Sequence, residues 1–241
     1  ELDKETTFEA LNLIEHSKEL KKAKSTVLYQ SHWHKGVIGI VASRVIESFY
    51  RPTIIFTESN GVAAGSARSV PGFDVYNAIE ACSEHILQFG GHKYAAGLTI
   101  EIDKIPEFVK AFEKQVSTTI TEEQLTPVVE IDYEIELSEI NRKFYNILTQ
   151  MAPFGPENLT PVFCAKNVVD AGYTTKVGSD NSHLKLSVRQ IHNPTEEFNG
   201  IAFKSQSEFI FANPAQKYTI ISKSLYRTFR KKGANIRFKY H

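Results

Sequence analysis

Residues 26–57 have the sequence TVLYQSHWHKGVIGIVASRVIESFYRPTIIFT. Its first four residues, Thr26 to Tyr29, form a short apolar run that predicts a buried strand. Valines then recur on one helical stripe, which predicts a helix over Val37 to Tyr50 that ends before Pro52. The β-branched segment Thr53 to Thr57 predicts a second strand. A strand, a helix and a strand in this order favour a parallel pair joined by a right-handed crossover.

The alternation of strands and helices continues beyond this segment and predicts an α/β domain, a mixed sheet with flanking helices, over residues 25–125. A helix over residues 6–22 precedes it, and we expect residues 1–24 to be the end of a helical connector. The later elements are predicted as a strand at Ala64–Ser69, a helix from Asp74 that ends at Gly90-Gly91, a strand at Leu98–Ile102 and a helix over residues 108–120.

The pattern changes after Thr126-Pro127. Apolar residues alternate with acids from Val129 to Leu137, which predicts one half-exposed strand with an acidic outer face. A helical stripe follows at Ile140, Phe144, Ile147 and Met151. Five short strands are then predicted at Val162–Asp170, Leu184–Arg189, Phe198–Phe203, Tyr218–Leu225 and Asn235–Tyr240. We therefore expect residues 126–241 to be mainly β and to form a five-stranded barrel like the oligonucleotide-binding (OB) fold.

Composition narrows the class of protein. Hydrophobic residues make up 41% of the 241 residues and charged residues 23%, as in an ordinary globular chain. No apolar run reaches the roughly 20 residues that span a bilayer, so we expect no membrane partner. The two cysteines are too few for a disulfide framework, so we expect reduced thiols and a location in the cytoplasm. The chain begins at Glu1 and its one methionine is Met151, so we expect it to be a fragment.

Charge is balanced overall, with 28 basic and 28 acidic residues, but it is unevenly distributed. Residues 101–139 are strongly acidic, whereas residues 217–241 contain no acid and interleave cations with aromatic rings. Such a segment suits single-stranded nucleic acid, because cations hold phosphates and rings stack on bases. A solvated strand pair with buried rings is the alternative. The DNA-binding candidates here are Lys223, Tyr226, Arg227, Phe229, Arg230, Lys231 and Arg237.

The segment Gly65-Ser66-Ala67-Arg68-Ser69 places one arginine among small residues at the end of a predicted strand. Alternation puts Ser66 and Arg68 on the same face. The planar guanidinium and a neighbouring hydroxyl can grip a phosphate together. An arginine that caps a turn or pairs with a surface acid would have the same sequence.

The segment Gly90-Gly91-His92-Lys93-Tyr94-Ala95-Ala96-Gly97 surrounds one histidine with small residues. Glycines permit positive φ and a close approach of backbone to a ligand. His92 could donate a hydrogen bond to a phosphate oxygen or carry a proton. The alternative is a histidine whose hydrogen bonds are satisfied within a turn between helix and strand.

A loop, Trp33-His34-Lys35-Gly36, runs into the predicted start of a helix. The unpaired amides and the dipole at such a position favour an anion. An ordinary connection with Trp33 packed over the sheet is equally consistent with the sequence. No cluster of Asp and His has metal-ligand spacing, and no Walker loop or GxSxG motif is present. We therefore expect no metal ligands in this chain.

These motifs occur together in one order: Trp33-His34-x-Gly36-Val37-Ile38-Gly39, then Gly65-Ser66-Ala67-Arg68-Ser69, then Gly90-Gly91-His92-x-x-Ala95-Ala96-Gly97. In this order they resemble the DHHA1 domain of the DHH phosphoesterase superfamily, and within it the RecJ family of exonucleases. Residues 25–125 would be the DHHA1 domain. The segment Pro153-Phe154-Gly155-Pro156-Glu157-Asn158 is similar to the entry to the OB domain of that family. The resemblance covers the chain from about Ser25 onward.

The resemblance implies that this chain is one part of a metal-dependent 5′→3′ single-stranded-DNA exonuclease that acts in DNA repair and recombination. Mn²⁺ or Mg²⁺ is expected in an N-terminal DHH domain that this chain lacks, so the chain alone should bind single-stranded DNA and hydrolyse nothing. By motif, Ser66 and Arg68 would contact the 5′-terminal phosphate, and His92 would face the scissile phosphate as the catalytic candidate. Further nucleic-acid-binding candidates are Ser69, Gly91, His34 and Gly36.

The expected partners are single-stranded DNA and the DHH domain of the same protein; a single-strand-binding protein or a helicase is a further candidate. Two other functions stay open. The second domain could be a protein-interaction module of a repair complex. The chain could also belong to a DHHA1 phosphodiesterase for short oligonucleotides or cyclic dinucleotides, although a small substrate needs no additional barrel.

Overall fold

The structure is a computed structural model that describes residues 1–179, 181, 183–202, 218–222 and 235–238. The chain divides into two compact units, Glu1–Pro127 and Val128–His241. Within the described part of the chain, no helix is long and apolar enough to span a bilayer.

The first unit alternates helices and strands. Its helices are α1 (Leu2–His16), α2 (Lys18–Lys22), α3 (Ile38–Ser48), α4 (Val75–Glu80), α5 (Ile105–Thr119) and α6 (Glu122–Leu125). Its strands are β1 (Thr26–Tyr29), β2 (Thr53–Ser59), β3 (Val62–Arg68), β4 (Gln88–His92) and β5 (Ala95–Ile100). They form one sheet in the order β1-β2-β3-β5-β4, in which β1 and β2 are parallel and the other pairs antiparallel. The predicted mixed sheet with flanking helices is confirmed.

Alternation along β2 supplies two cores, one on each face of this sheet. Ile54 and Phe56 lie in a core with α4 and α5, where the ring of Phe56 meets that of Phe108 edge-on at 5.8 Å. Ile55 faces the opposite way, into a core formed with α1 and α3. The period of two along the strand therefore fixes which helices cover which face.

Two helix predictions in this unit are wrong in their boundaries. The helix predicted over residues 6–22 is interrupted at Ser17, whose hydroxyl oxygen accepts from the amide of Leu20 at 3.1 Å and caps the short α2. The helix that begins after Asp74 ends at Glu80, and Gly90 and Gly91 lie inside β4. Glycine has low helix propensity, and pairing with β5 satisfies the backbone of this segment.

The second unit is mainly β. Among its described residues, the α-helix is α7 (Arg142–Gln150). The strands are β6 (Val128–Ile131), β7 (Tyr133–Glu134), β8 (Phe163–Asp170), β9 (Thr175–Val177), β10 (His183–Gln190), β11 (Asn193–Ala202), β12 (Tyr218–Ser222) and β13 (Asn235–Phe238). One sheet has the path β11-β10-β8-β12, with β7 beside β8 and β9 beside β10. A second sheet pairs β13 with β6 in parallel. Among the described residues these ladders do not close into a barrel.

The single acidic strand predicted over Val129–Leu137 needs correction. It is broken at Asp132, whose carboxylate accepts a hydrogen bond from the amide of Val162 at 2.8 Å. The segment on one side of the break, β6, pairs with β13, and the segment on the other side, β7, pairs with β8. One run of alternating residues therefore contributes to two sheets.

The apolar stripe predicted for the helix of this unit is correct in part. Ile140, Phe144 and Leu148 pack against the core, whereas Ile147 is 50% exposed. A spacing of four residues keeps Leu148, rather than Ile147, on the face of Ile140 and Phe144.

Candidate nucleic-acid interface

The serine and arginine of the first motif are in contact at the end of β3. Arg68 donates from Nη1 to the Ser66 hydroxyl oxygen at 3.1 Å and to the carbonyl oxygen of Ala67 at 2.8 Å. Both side chains are half-buried. The contact holds the guanidinium beside the hydroxyl, so that one anion can meet donors from both.

Strand register places the second motif on the same face of the sheet. Arg68 lies opposite Ala95, which lies opposite His92 on the edge strand. Two residues along β3, Ser66 is opposite Gly97. Directly opposed residues on antiparallel strands share a face, and two strand spacings separate Arg68 from His92 by about 10 Å between Cα atoms. Ser66, Arg68 and His92 therefore belong to one surface.

This surface contains an open groove of about 510 Å³. Alternation along β5 turns Leu98 into the core and leaves Gly97 exposed on the groove side. Small residues from three strands thus form the floor, and the loop before α3 forms a wall. The lining residues are Lys35, Gly36, Ile38, Gly39, Ala64, Gly65, Ser66, Gln88, Phe89, Gly90, Gly97, Leu98 and Thr99. None of them is acidic, and Lys35 is the one cation among them. Arg68 and His92 do not line the groove themselves, but Arg68 contacts the lining residue Ser66.

Gly39, in the first turn of α3, brings that helix onto the serine–arginine pair. A Cβ built there would lie 2.9 Å from Nη2 of Arg68 and 3.1 Å from the Ser66 hydroxyl oxygen. A residue with a side chain could not approach so closely without moving the guanidinium. The first-turn amides of α3 carry the positive end of the helix dipole, which adds to the charge that favours an anion here.

His92 ends β4 and is exposed. Its Nδ1 accepts a hydrogen bond from the amide of Tyr94 at 3.3 Å. Because Nδ1 is used as an acceptor in this contact, Nε2 is the ring nitrogen that faces a ligand as a donor. Nε2 can then donate to an oxygen of a ligand on the groove face.

The other predicted phosphate-binding residues take local structural roles in the fold. Ser69 donates its hydroxyl proton to the carbonyl oxygen of Phe73 at 2.9 Å, within the turn after β3. His34 is exposed, and its Nδ1 accepts from the amide of Gly36 at 3.0 Å, which shapes the loop. Gly91 has φ +148°, and a Cβ there would overlap the carbonyl oxygen of Ala95. Of these residues, Gly36 lines the groove.

Several groove residues are not candidates from the sequence, namely Lys35, Gly39, Gln88, Gly97 and Thr99. Gly39 and Gly97 lie inside the motifs quoted above, and a small residue in the first turn of a helix is a usable signal. Gln88 and Thr99 have no such signal, because their position depends on the register between β4 and β5.

Most of the C-terminal candidates lie beyond the described part of the chain. These are Lys223, Tyr226, Arg227, Phe229, Arg230 and Lys231. Arg237 belongs to β13, where its backbone is in register with Glu130 of β6. The role of the basic C-terminal segment in binding stays a prediction.

A second groove, of about 900 Å³, lies in the second unit between α7 and the β9–β10–β11 ladder. Its lining combines cations, aromatic rings and side-chain amides: Arg142, Lys185, Tyr145, Phe198, Asn141, Asn146 and Asn199, beside four apolar or glycine positions. No acid is among these lining residues. Tyr145 is 40% exposed. Rings beside cations are what unpaired bases and their phosphates require.

The described residues were compared with the ligands that a divalent metal ion requires. Mg²⁺ and Mn²⁺ are held chiefly by carboxylate oxygens. In the described ranges, no group of three or more His, Cys, Asp or Glu side chains could hold an ion.

The chain matches two known domain families, one in each compact unit. Residues 22–118 match the DHHA1 domain model, and residues 131–237 match the RecJ OB domain model. The single-stranded-DNA-specific exonuclease RecJ of Bacillus subtilis is 32% identical over 185 residues, which are 76% of this chain and 23% of that protein. The protein of the same name from Haemophilus influenzae is 34% identical over 66% of this chain and 28% of its own length.

Two solved structures share the fold. They are crystal structures of RecJ from Thermus thermophilus in complex with Mg²⁺ and with Mn²⁺, with TM-scores of 0.71 and 0.73 over 91% and 98% of this chain. Their sequences are 23% and 21% identical to it, and it covers 32% and 34% of theirs. The chain therefore spans about a quarter to a third of the length of these relatives. Over that span it is RecJ-like and belongs to the DHHA1 and RecJ OB domain families, with the DHHA1 domain first.

Proposed function

We propose that this chain is the strand-holding part of a single-stranded-DNA exonuclease of the RecJ type. The observation that supports this most directly is the Ser66–Arg68 contact at an open, acid-free groove, with His92 on the same sheet face. The names of the curated relatives describe single-stranded-DNA-specific exonucleases, which is the activity that such a groove would serve.

The groove is suited to the terminal phosphate of a strand. A 5′-phosphate carries more charge than an internal phosphodiester, and the Arg68 guanidinium and Ser66 hydroxyl offer it several donors. The floor at Gly90 and Gly97 lets a sugar–phosphate backbone lie close to the sheet. Contacts of this kind position a strand without reading its sequence, as digestion of any sequence requires.

His92 is proposed to donate from Nε2 to a phosphate oxygen near the scissile bond. The two strand spacings between His92 and Arg68 correspond to about 10 Å, which is enough for the terminal phosphate at Arg68 and the next phosphate towards His92. The metal-dependent step is proposed to occur on a DHH domain that binds Mn²⁺ or Mg²⁺, with 5′→3′ digestion in DNA repair and recombination.

The second unit is proposed to bind unpaired bases further along the strand. The groove beside α7 offers Tyr145 and Phe198 for stacking and Arg142 and Lys185 for phosphates. It is a candidate in addition to the basic C-terminal segment. A single-strand-binding protein or a helicase remains a proposed partner of the assembly.

Binding of fluorescent oligonucleotides to the chain tests the proposal. We expect the chain to prefer a 5′-phosphorylated single strand over its 5′-hydroxyl counterpart and over duplex DNA. The logarithm of the affinity should fall with the logarithm of salt concentration with a slope of about −0.7 per phosphate neutralised. The variant Arg68→Ala should lose the 5′-phosphate preference, and Arg68→Lys, which keeps the charge without the fork, should restore only part of it.

Two results would contradict the proposal. One is affinity that does not change with salt, and the other is an Arg68→Ala variant with an unaltered preference for the phosphorylated end. An assay with Mn²⁺ or Mg²⁺ should show no hydrolysis by the chain alone. Retention of a replication or repair protein by the second unit, without DNA binding, would instead favour the protein-interaction function.

A further inference from the structure

Glu9 of α1 lies outside the groove but contacts the loop that forms one of its walls. Its Oε2 accepts a hydrogen bond from the indole Nε1 of Trp33 at 2.8 Å. The same oxygen lies 3.0 Å from Nε2 of His32. One carboxylate on α1 therefore holds two consecutive residues of the loop that precedes α3.

Trp33 fixes this loop at both its ring and its backbone. The side chain is 4% exposed and packs between α1 and α3 with Ile14 and Val41. Its carbonyl oxygen accepts from the buried Thr57 hydroxyl on β2. The indole N–H is the one polar group of this ring, and the Glu9 carboxylate is its partner, so the orientation of the ring depends on Glu9.

The residues of the groove wall follow Trp33 closely in the chain. Lys35 and Gly36 come two and three residues after Trp33, and both line the groove. The carbonyl oxygen of His34, which lies between Trp33 and Lys35 in the chain, accepts from the amide of Val37 at 3.0 Å. This hydrogen bond forms the turn that precedes α3. A change in the ring orientation of Trp33 would therefore move the Lys35 ammonium and the start of α3 relative to Arg68.

We infer that Glu9 is a positioning residue for the anion groove and sets, through Trp33, the placement of the wall that carries Lys35. This inference rests on the proposed function, because it concerns the same groove. It makes the 5′-phosphate preference depend on a side chain of α1 that touches no ligand. Asp3 provides a matched control: it also lies on α1, and its carboxylate pairs with Arg44 of α3 at 2.5 Å, away from the loop.

The experiment measures, for the whole chain, the ratio of affinities for a 5′-phosphorylated and a 5′-hydroxyl single strand. In Glu9→Ala the ratio should fall about three- to tenfold, as expected for the loss of one or two hydrogen bonds that orient the site. Glu9→Gln should stay within about twofold of the original ratio, because its amide oxygen can still accept from the indole. Asp3→Ala should leave the ratio unchanged although it removes a link between α1 and α3.

A second variant keeps the test decisive if Glu9→Ala unfolds. Trp33→Phe removes the indole donor and keeps an aromatic ring, so it should lower the ratio as Glu9→Ala does, and the double variant should lower it no further. An unchanged ratio in Glu9→Ala or Trp33→Phe, or an equal fall in Asp3→Ala, would overturn the inference alone. A ratio near one in the original chain would instead overturn the proposed function on which it depends.

Discussion

Gly39→Ala is expected to separate the stability of the fold from the binding of a ligand at the groove. The added Cβ would lie 2.9 Å from Nη2 of Arg68 and 3.1 Å from the Ser66 hydroxyl oxygen. Both distances are shorter than an ordinary carbon contact of about 3.5 Å. Nη2 is the far end of a flexible side chain, so Arg68 can turn away at little cost to the fold.

The substitution should change the stability of the fold and the affinity for the phosphorylated strand in opposite directions. An alanine in place of glycine in a helix stabilises it by up to about 1 kcal/mol, so the free energy of unfolding should stay level or rise. Loss of one charge-assisted hydrogen bond from Arg68 to a phosphate costs about 1.5–3 kcal/mol. That corresponds to an affinity for the 5′-phosphorylated strand about 10- to 150-fold lower.

Urea unfolding and fluorescence anisotropy with phosphorylated and unphosphorylated strands measure the two quantities on the same samples. Ile40→Ala is the control, because Ile40 is the next residue of α3, is 49% exposed and does not line the groove. It should leave the preference for the phosphorylated end unchanged. A Gly39→Ala variant that is stable and still binds the phosphorylated end as tightly as the original chain would refute the placement of the phosphate at Arg68.

Four further outcomes are expected. Burial opposes ionisation of Glu9, but hydrogen bonds from the indole and from His32 outweigh it and hold the pKa of Glu9 below its ordinary value of 4.5. The ionised Glu9 carboxylate should thus contribute its full stabilisation above about pH 4.5, and this stabilisation should disappear as pH falls through the lower pKa of the folded state. The fluorescence of Trp33 should follow this pH dependence, and Glu9→Gln should abolish the pH dependence. Burial, and secondarily Glu84, raises the pKa of Cys82 to about 11, so iodoacetamide at pH 8 should label this thiol only after denaturation. Phe112→Ala should lower the free energy of unfolding by about 3–5 kcal/mol in urea titrations, because it empties a fully buried site. Tyr145→Ala should weaken binding of long single strands by about 1–3 kcal/mol of stacking while leaving the 5′-phosphate preference intact; equal binding of long and short strands by the original chain would contradict a stacking role.

Several features are accessible from sequence because they depend on local chemistry. The apolar periods over residues 26–57 identify β1, α3 and β2, since burial of one face imposes those periods. Alternation places Ser66 and Arg68 on one face, and they are in contact. The predicted boundaries are wrong where a hydrogen bond overrides the period. At Ser17 this hydrogen bond is a local helix cap, and at Asp132 it comes from Val162, 30 residues further along the chain.

The sequence by itself determined which residue types could form a phosphate site: an arginine and a serine on one strand face, and glycines and alanines around a histidine. Only the tertiary structure decided that they share a surface, because the register of β3 with β5 and of β5 with β4 brings residues of separate motifs into line. Gly39 and Glu9 show the same limit. Their importance depends on how closely α3 and α1 approach Arg68 and Trp33, and such distances arise from packing between elements distant in the chain, which no local pattern encodes.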